Sequence, residues 1–238
     1  MPLFISHRRL VGRKTFPRAV GPWALDSGGY TELSMFGRWQ TEVEEYVEAV
    51  AKYGEEIGGL EWAAPMDWMC EPHMIEKTGL SVREHQERTV ANFLELRDRG
   101  PFVPVLQGQT LEDYEACIAM YDAAGVDLRD APLVGLGTVC RRQREPEIAR
   151  IVHELGAYGL RMHGFGMKSR GLARVGHVLA SADSMAWSTA GRMEWQHRKR
   201  RKCGGEHRGG CANCMSWAMQ WRDRVVDGCG LFAEVGHG

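Results

Sequence analysis

Short apolar segments of strand length recur along the chain at Leu3–Ser6, Trp23–Asp26, Leu60–Asp67, Phe102–Gln107, Leu133–Gly137, Gly159–Gly164 and Ala182–Trp187. Stretches with helical spacing fill most of the gaps between them. Val43, Tyr46, Val47 and Val50 lie on one face of a helix, and Ser81 with Glu84 reads as a capping box ahead of Val90, Phe93 and Leu94. Thr110 caps a helix carrying Tyr114, Cys117, Ile118 and Tyr121, and Pro146 suits the first turn of one carrying Ile148, Ile151, Val152 and Leu155. A further unit runs from Leu172 through Val175, Val178 and Leu179, and Trp217, Met219, Trp221 and Val225 form the stripe of a packed helix. Strands alternating with helices imply a parallel sheet, and right-handed crossovers leave an open doubly wound sheet or a closed ring. No Gly-x-Gly-x-x-Gly follows the first strand. The fold expected is therefore α/β, a compact (β/α)8 TIM-like barrel whose eighth strand is Leu231–Val235 or is absent from an irregular ring.

Length changes the picture little: 238 residues fit one domain, 1–238, that includes a zinc-binding subregion at 197–226. No apolar run approaches the ~20 residues of a membrane span, and the N-terminus lacks the longer apolar stretch of a secretory signal. The expectation is a cytoplasmic protein with no membrane partner. The formal net charge of -1 offers no field for drawing in a polyanion, but its distribution does. Arg198, Lys199, Arg200, Arg201 and Lys202 form a run suited to phosphate contacts in nucleic acid, or alternatively a solvated loop.

Candidate chemistry falls where a parallel barrel would place it, at the C-terminal ends of strands. Asp26-Ser-Gly-Gly-Tyr30, Asp67, Gln107-Gly108, Gly135-Leu-Gly137, His163-Gly-Phe-Gly166 and Asp183-Ser184 each end or follow an expected strand. One such residue would be an ordinary turn former; the recurrence in phase argues for a site. Carboxylates around one pocket suit chemistry at an anomeric carbon, where one attacks or steadies an oxocarbenium-like centre and another manages protons. The glycine pairs would let backbone amides approach a flat ligand, and Asp67 with Gln107 offers acceptors and donors to the edge of a base. A purine pocket follows, although an unrelated barrel hydrolase is also compatible with these residues.

The cysteines argue against a disulfide framework, because three of the seven crowd beside a histidine. Cys203-x3-His207-x3-Cys211-x2-Cys214 supplies the four ligands of a closed tetrahedral zinc site. With every position filled by protein, no place remains for an activated water, so the Zn2+ expected here is structural.

Taken in order between Trp23 and Cys214, the strand-end motifs resemble the tRNA-guanine transglycosylases. The short length, the Asp183-Ser-Met-Ala-Trp187 segment and the mere two dozen or so residues after Cys214, too few for an appended RNA-binding domain of roughly 50 residues, are most similar to the DNA-modifying DpdA group. The resemblance implies exchange of guanine in double-stranded DNA for a 7-deazaguanine base, with tRNA as the alternative polymer. Asp26 and Asp183 are then the catalytic carboxylates, either of them the nucleophile. The family's nucleophilic aspartate commonly lies three residues beyond another aspartate, and Ala186 holds that position here. Ser27, Gly28, Asp67, Gln107, Gly108, Gly135, Gly137 and His163 become the substrate-binding set, with Gly135 and Gly137 presenting backbone amides. The family's Cys3His zinc has its histidine after the cysteines, whereas His207 lies between Cys203 and Cys211. A non-catalytic zinc-containing DNA-binding protein is the reading from another class; carboxylates at successive strand ends count against it, since they would repel phosphate.

Overall fold

The computed structural model describes residues 2–140, 142 and 146–228. They form two compact units, Met1–Thr138 with Tyr158–Met162, and Val139–Ala157 with His163–Gly238. In the first unit the chain runs β1 (Leu3–Ser6), α1 (His7–Leu10), β2 (Trp23–Asp26), α2 (Gly29–Phe36), α3 (Val43–Glu56), β3 (Leu60–Ala63), α4 (Pro72–Thr78), α5 (Val82–Leu96), β4 (Val105–Leu106), α6 (Leu111–Ala123) and β5 (Val134–Leu136). The second unit contains α7 (Pro146–Ala157), β6 (Met162–Gly164), through which the chain enters it, α8 (Ser169–Val175), β7 (Ser181–Ala182), α9 (Ala186–Arg198) and α10 (Met215–Gly228).

β1, β2 and β3 pair in parallel, with Ser6 opposite Asp26, so the C-terminal ends of β1 and β2 are level. Trp23, Ala24 and Leu25 are all buried, which is why β2 reads as an unbroken apolar run and not as an alternation. Tyr46, Val50 and Tyr53 of α3 pack on this sheet at the helical spacing of four and three, with Phe102, Leu96 and Met66 completing the core. Both capping boxes form: Ser81 with Glu84 starts α5, and Thr110 with Asp113 starts α6.

The alternating α/β order and the parallel pairing agree with the expectation, but closure into an eight-stranded ring does not appear. The described strands form two sheets, ordered β1-β2-β3 and β4-β5-β6-β7. The expected eighth strand, residues 231–235, lies outside the described residues. The break between β3 and β4 has a local cause. A single parallel bridge joins Ala63 to Phe102, and Pro101 and Pro104 on either side have no N–H to donate to a ladder. The segment expected as a strand at 182–187 also differs: β7 ends at Ala182, and Ala186 begins α9 after a turn in which the Ser184 hydroxyl accepts from the Ala186 N–H at 3.2 Å. No helix among the described residues is long and apolar enough to cross a membrane.

Candidate active site and metal centre

In the first unit, Asp26 ends β2 and Gly28 follows in the left-handed region at φ 82°, donating its N–H to Asp26 Oδ1 at 3.2 Å. Glycine is required there by conformation and by space, because a Cβ would overlap the Arg8 side chain. Arg8 is in turn ion-paired with the buried Glu32 at 3.1 Å. Glu32 also accepts from the Gln40 N–H at 2.6 Å, which ties the start of α2 to the loop before α3. Ser27 is buried beside Asp26.

Asp67 lies on the loop that leaves β3, and the whole stretch from Met66 to Cys70 is buried. Buried backbone must find partners, and α5 supplies them. Asn92 donates to the Met66 carbonyl, the Thr89 hydroxyl accepts from the Trp68 N–H, and His85 Nδ1 meets the Met69 carbonyl, at 2.6, 2.8 and 2.7 Å. Gln86 Nε2 donates to the carbonyls of both Gln107 and Asp113, each at 2.7 Å. These polar residues share the buried side of α5 with its apolar ones, and the sequence reading took only the latter.

The Asp67 carboxyl accepts from Gln107 Nε2 at 2.6 Å, and Gln107 Oε1 accepts from the Thr138 hydroxyl, also at 2.6 Å. Thr138 Oγ1 further accepts from the Cys70 N–H at 2.9 Å. Burial pushes the Asp67 pKa up to about 7, and the nearby charge of Asp26 raises it too, against the lowering effect of its own backbone amide and of Gln107. Tyr46 is raised by burial and then by the charges of Asp26 and Asp67, so the three groups share one electrostatic environment.

Three expected roles change. Gln107 is fully buried with both ends of its amide engaged, so it stands behind Asp67 instead of at a pocket surface. The amides of Gly135 and Gly137 do not face a ligand: they donate to the carbonyls of Pro104 and Leu106 at 2.8 and 3.0 Å. Parallel pairing of β5 with β4 uses them up. A Cβ on Gly137 would overlap the Gln107 amide, and one on Gly108 would press on Asp113 at 2.8 Å, so both glycines are there for close packing. Thr138, which the sequence reading passed over, has φ 59°. A β-branched residue rarely adopts that conformation, and the signal lay in its place directly after the strand-end glycine.

In the second unit His163 of β6 is opposite Ser181 of β7, and its Nδ1 lies 2.8 Å from the Ser181 hydroxyl. Asp183 Oδ1 accepts from the Gly166 N–H at 2.8 Å and lies 3.4 Å from His163 Nε2. The fold thus brings His163 and Asp183 together, and Ala186 is the first residue of α9.

The metal-binding expectation finds its residues gathered. One ligand atom from each of Cys203, His207, Cys211 and Cys214 lies within 4.8 Å of the others. The Cys203–Cys211 sulfur separation is 3.6 Å, and each of these sulfurs is 3.6 Å or less from His207 Nε2. Bond lengths of about 2.3 Å to sulfur and 2.0 Å to nitrogen give tetrahedral edges of roughly 3.5–3.8 Å. The donor set therefore fits a zinc-sized ion. Amides of Lys202 and Gly205 point at Cys211 and Cys203 sulfur at 3.1 and 3.3 Å, the surroundings a thiolate needs. The Gly205 N–H, followed by His207 and the neighbouring cysteines, brings the Cys203 pKa down to about 7. Gly191 of α9 permits the approach, since a Cβ there would collide with the Cys211 backbone. Trp217 Nε1 donates to the Trp187 carbonyl at 2.8 Å and pins α10 to α9.

The basic run emerges from the end of α9, where Lys199 closes the helix at φ 52°. All five cations are exposed. Lys202 and Arg198 pair with Glu194 at 3.2 and 3.7 Å, and Arg201 packs over the Trp195 ring at 5.6 Å.

Parallel strands with carboxylates at their C-terminal ends, and a Cys3His cluster able to hold a metal ion, define an α/β protein with a possible metal site. The chain belongs to the DpdA family, DeoxyPurine in DNA protein A, whose model matches residues 1–236. Membership carries a transglycosylase-like, DNA-modifying role in deazapurine modification of DNA, in line with the resemblance read from the sequence. No curated protein matches the chain.

Proposed function

We propose that the protein replaces guanine in double-stranded DNA with a 7-deazaguanine base of the preQ0 type, through two displacements at C1′. In the first, an aspartate oxygen bonds to C1′ as the N9–C1′ bond breaks, and guanine departs with a proton from a second, protonated carboxyl group. In the second, N9 of the incoming deazapurine bonds to C1′, the ester to aspartate breaks, and the N9 proton passes to a carboxylate. Two displacements retain configuration. Because C1′ of a stacked nucleotide is poorly accessible, the target is flipped out at a cost of a few kcal/mol.

The observation that carries this reading is the buried Asp67, held by Gln107, which Thr138 holds in turn, and sharing its electrostatic environment with Asp26. A carboxyl with a pKa near 7 presents either a donor or an acceptor to a purine edge, and Asp26 or Asp183 supplies the nucleophile. Zn2+ at Cys203, His207, Cys211 and Cys214 would hold the loop onto α9, and the run Arg198–Lys202 would contact phosphates.

The test is incubation of purified protein with labelled 7-deazaguanine and either duplex DNA or tRNA, followed by mass spectrometry of denatured protein for a sugar adduct. Label is expected in DNA. The adduct is expected to vanish in whichever of Asp26→Asn and Asp183→Asn removes the nucleophile. Label in tRNA alone, or in neither polymer, overturns the proposal.

A further inference from the structure

The chain carries a second concentration of positive charge, far earlier in sequence than the run that follows α9. Its first 25 residues contain Arg8, Arg9, Arg13, Lys14 and Arg18 and no Asp or Glu, in a protein whose formal net charge is -1. The segregation has a defined place. α1 follows directly on β1, whose last residue Ser6 is opposite Asp26 in the register, so the segment leaves the sheet at the same end as the candidate catalytic carboxylate.

Two of these side chains fasten the segment. Arg8 lies against Gly28 and pairs with Glu32, and Arg18 donates to the carbonyls of Glu55 and Glu56 at 2.7 and 3.3 Å. Arg13 Nε donates to the Arg9 carbonyl at 2.9 Å, which orders the turn after α1 without neutralising either cation. Arg9, Arg13 and Lys14 are exposed, and among the described residues none of the three enters an ion pair. A fastened segment that leaves the sheet at the Asp26 end and bears three exposed cations suits a polyanion, one of whose sugars would be presented at that end of the sheet.

We propose that Arg9, Arg13 and Lys14, on the segment that leaves the sheet at the Asp26 end, form a contact surface for the phosphate backbone of duplex DNA, independent of the run Arg198–Lys202. This deepens the assignment of DNA as substrate and rests on it, but it does not depend on base exchange.

The experiment measures binding of the full-length protein to a labelled DNA duplex by fluorescence anisotropy across a salt series, with no free base present. Each phosphate contact contributes about 0.9 to the slope of log affinity against log salt. The variant Arg9→Ala/Arg13→Ala/Lys14→Ala is expected to lose affinity and to flatten the slope by about 2–3. The charge-preserving variant Arg9→Lys/Arg13→Lys/Lys14→Arg is expected to restore it, an outcome that a purely structural role of the arginines would not produce. Neutralising Arg198–Lys202 should flatten the slope further when combined with the triple variant. An unchanged slope in a folded triple variant overturns the proposal, as does a wild-type protein that does not bind duplex DNA. A slope change confined to tRNA assigns the surface to RNA and equally overturns it. Because no glycosidic bond is broken in the assay, its result stands apart from the success or failure of the exchange reaction.

Discussion

The Gln107 amide donates to the Asp67 carboxyl at 2.6 Å, with its own oxygen held by Thr138. Without Gln107 the buried carboxyl would lose a side-chain donor and keep its own backbone amide, and burial drives it toward the neutral form. Gln107 thus fixes the orientation of Asp67 and moderates its proton affinity at once. On the proposed function Gln107 is then a positioning residue, and Asp67 the group that would meet the base.

Stability should fall as pH rises across the Asp67 titration. The carboxyl pKa is about 7 in the folded chain and near 3.9 when unfolded. Between these values the folded state holds a proton that the unfolded state has released. The contribution is therefore fully favourable below the unfolded value, declines by up to about 1.4 kcal/mol per pH unit, and levels off above pH 7. Asp67→Asn should remove that segment of the profile. Denaturant midpoints between pH 4.5 and 8 would show it, and identical profiles in the two proteins would contradict the assignment.

Gly137→Ala places a methyl group where the Gln107 amide sits. The amide must move, and the Asp67 contact moves with it. A hydrogen bond to an ionisable group contributes about 1.5–3 kcal/mol. The expected loss in kcat/KM for base exchange is accordingly about 10- to 100-fold, shared by Gln107→Ala, with the double variant no worse than either alone. Additive losses would show that the glycine acts on something other than Gln107.

Removing the metal centre should cost folding energy directly. Metal analysis of protein purified without chelators is expected to find about one zinc per chain. Cys211 is fully buried in the cluster, and Cys211→Ser should lower the melting temperature by on the order of 10 °C, the equivalent of a few kcal/mol. Chelation of the wild type should shift it in the same direction. A metal-free protein with unchanged melting would rule out a structural zinc.

The parts of this molecule that were legible in sequence are those set by local rules. β1 and β2 have the ranges their apolar runs predict, the Ser81–Glu84 capping box forms, Thr110 caps its helix, and the four metal-binding residues lie together because they are near neighbours in the chain. What escaped depends on contacts distant in sequence. The amides of Gly135 and Gly137 looked available until β4 was placed beside them. Gln107 looked like a reader of bases until its amide was seen to be enclosed by Asp67 and Thr138. The short run Met185-Ala-Trp187 fitted a strand as well as the start of α9, and periodicity over so few residues cannot separate the two. The polar face of α5 was missed for a related reason: His85, Gln86, Thr89 and Asn92 look like surface residues unless one knows that a buried loop needs their donors and acceptors.

Gln86 carries one more implication. Its single amide group holds the carbonyl of Gln107 and that of Asp113 in the first turn of α6. The strand end behind Asp67 and the start of that helix are consequently fastened to the same point. Neither can loosen without releasing the other, so the strand end opens with its helix and has little freedom to breathe alone. A scaffold fastened in this way behaves as a stiff template, and on the proposed function a change in the accepted base falls to substitution at Asp67 itself.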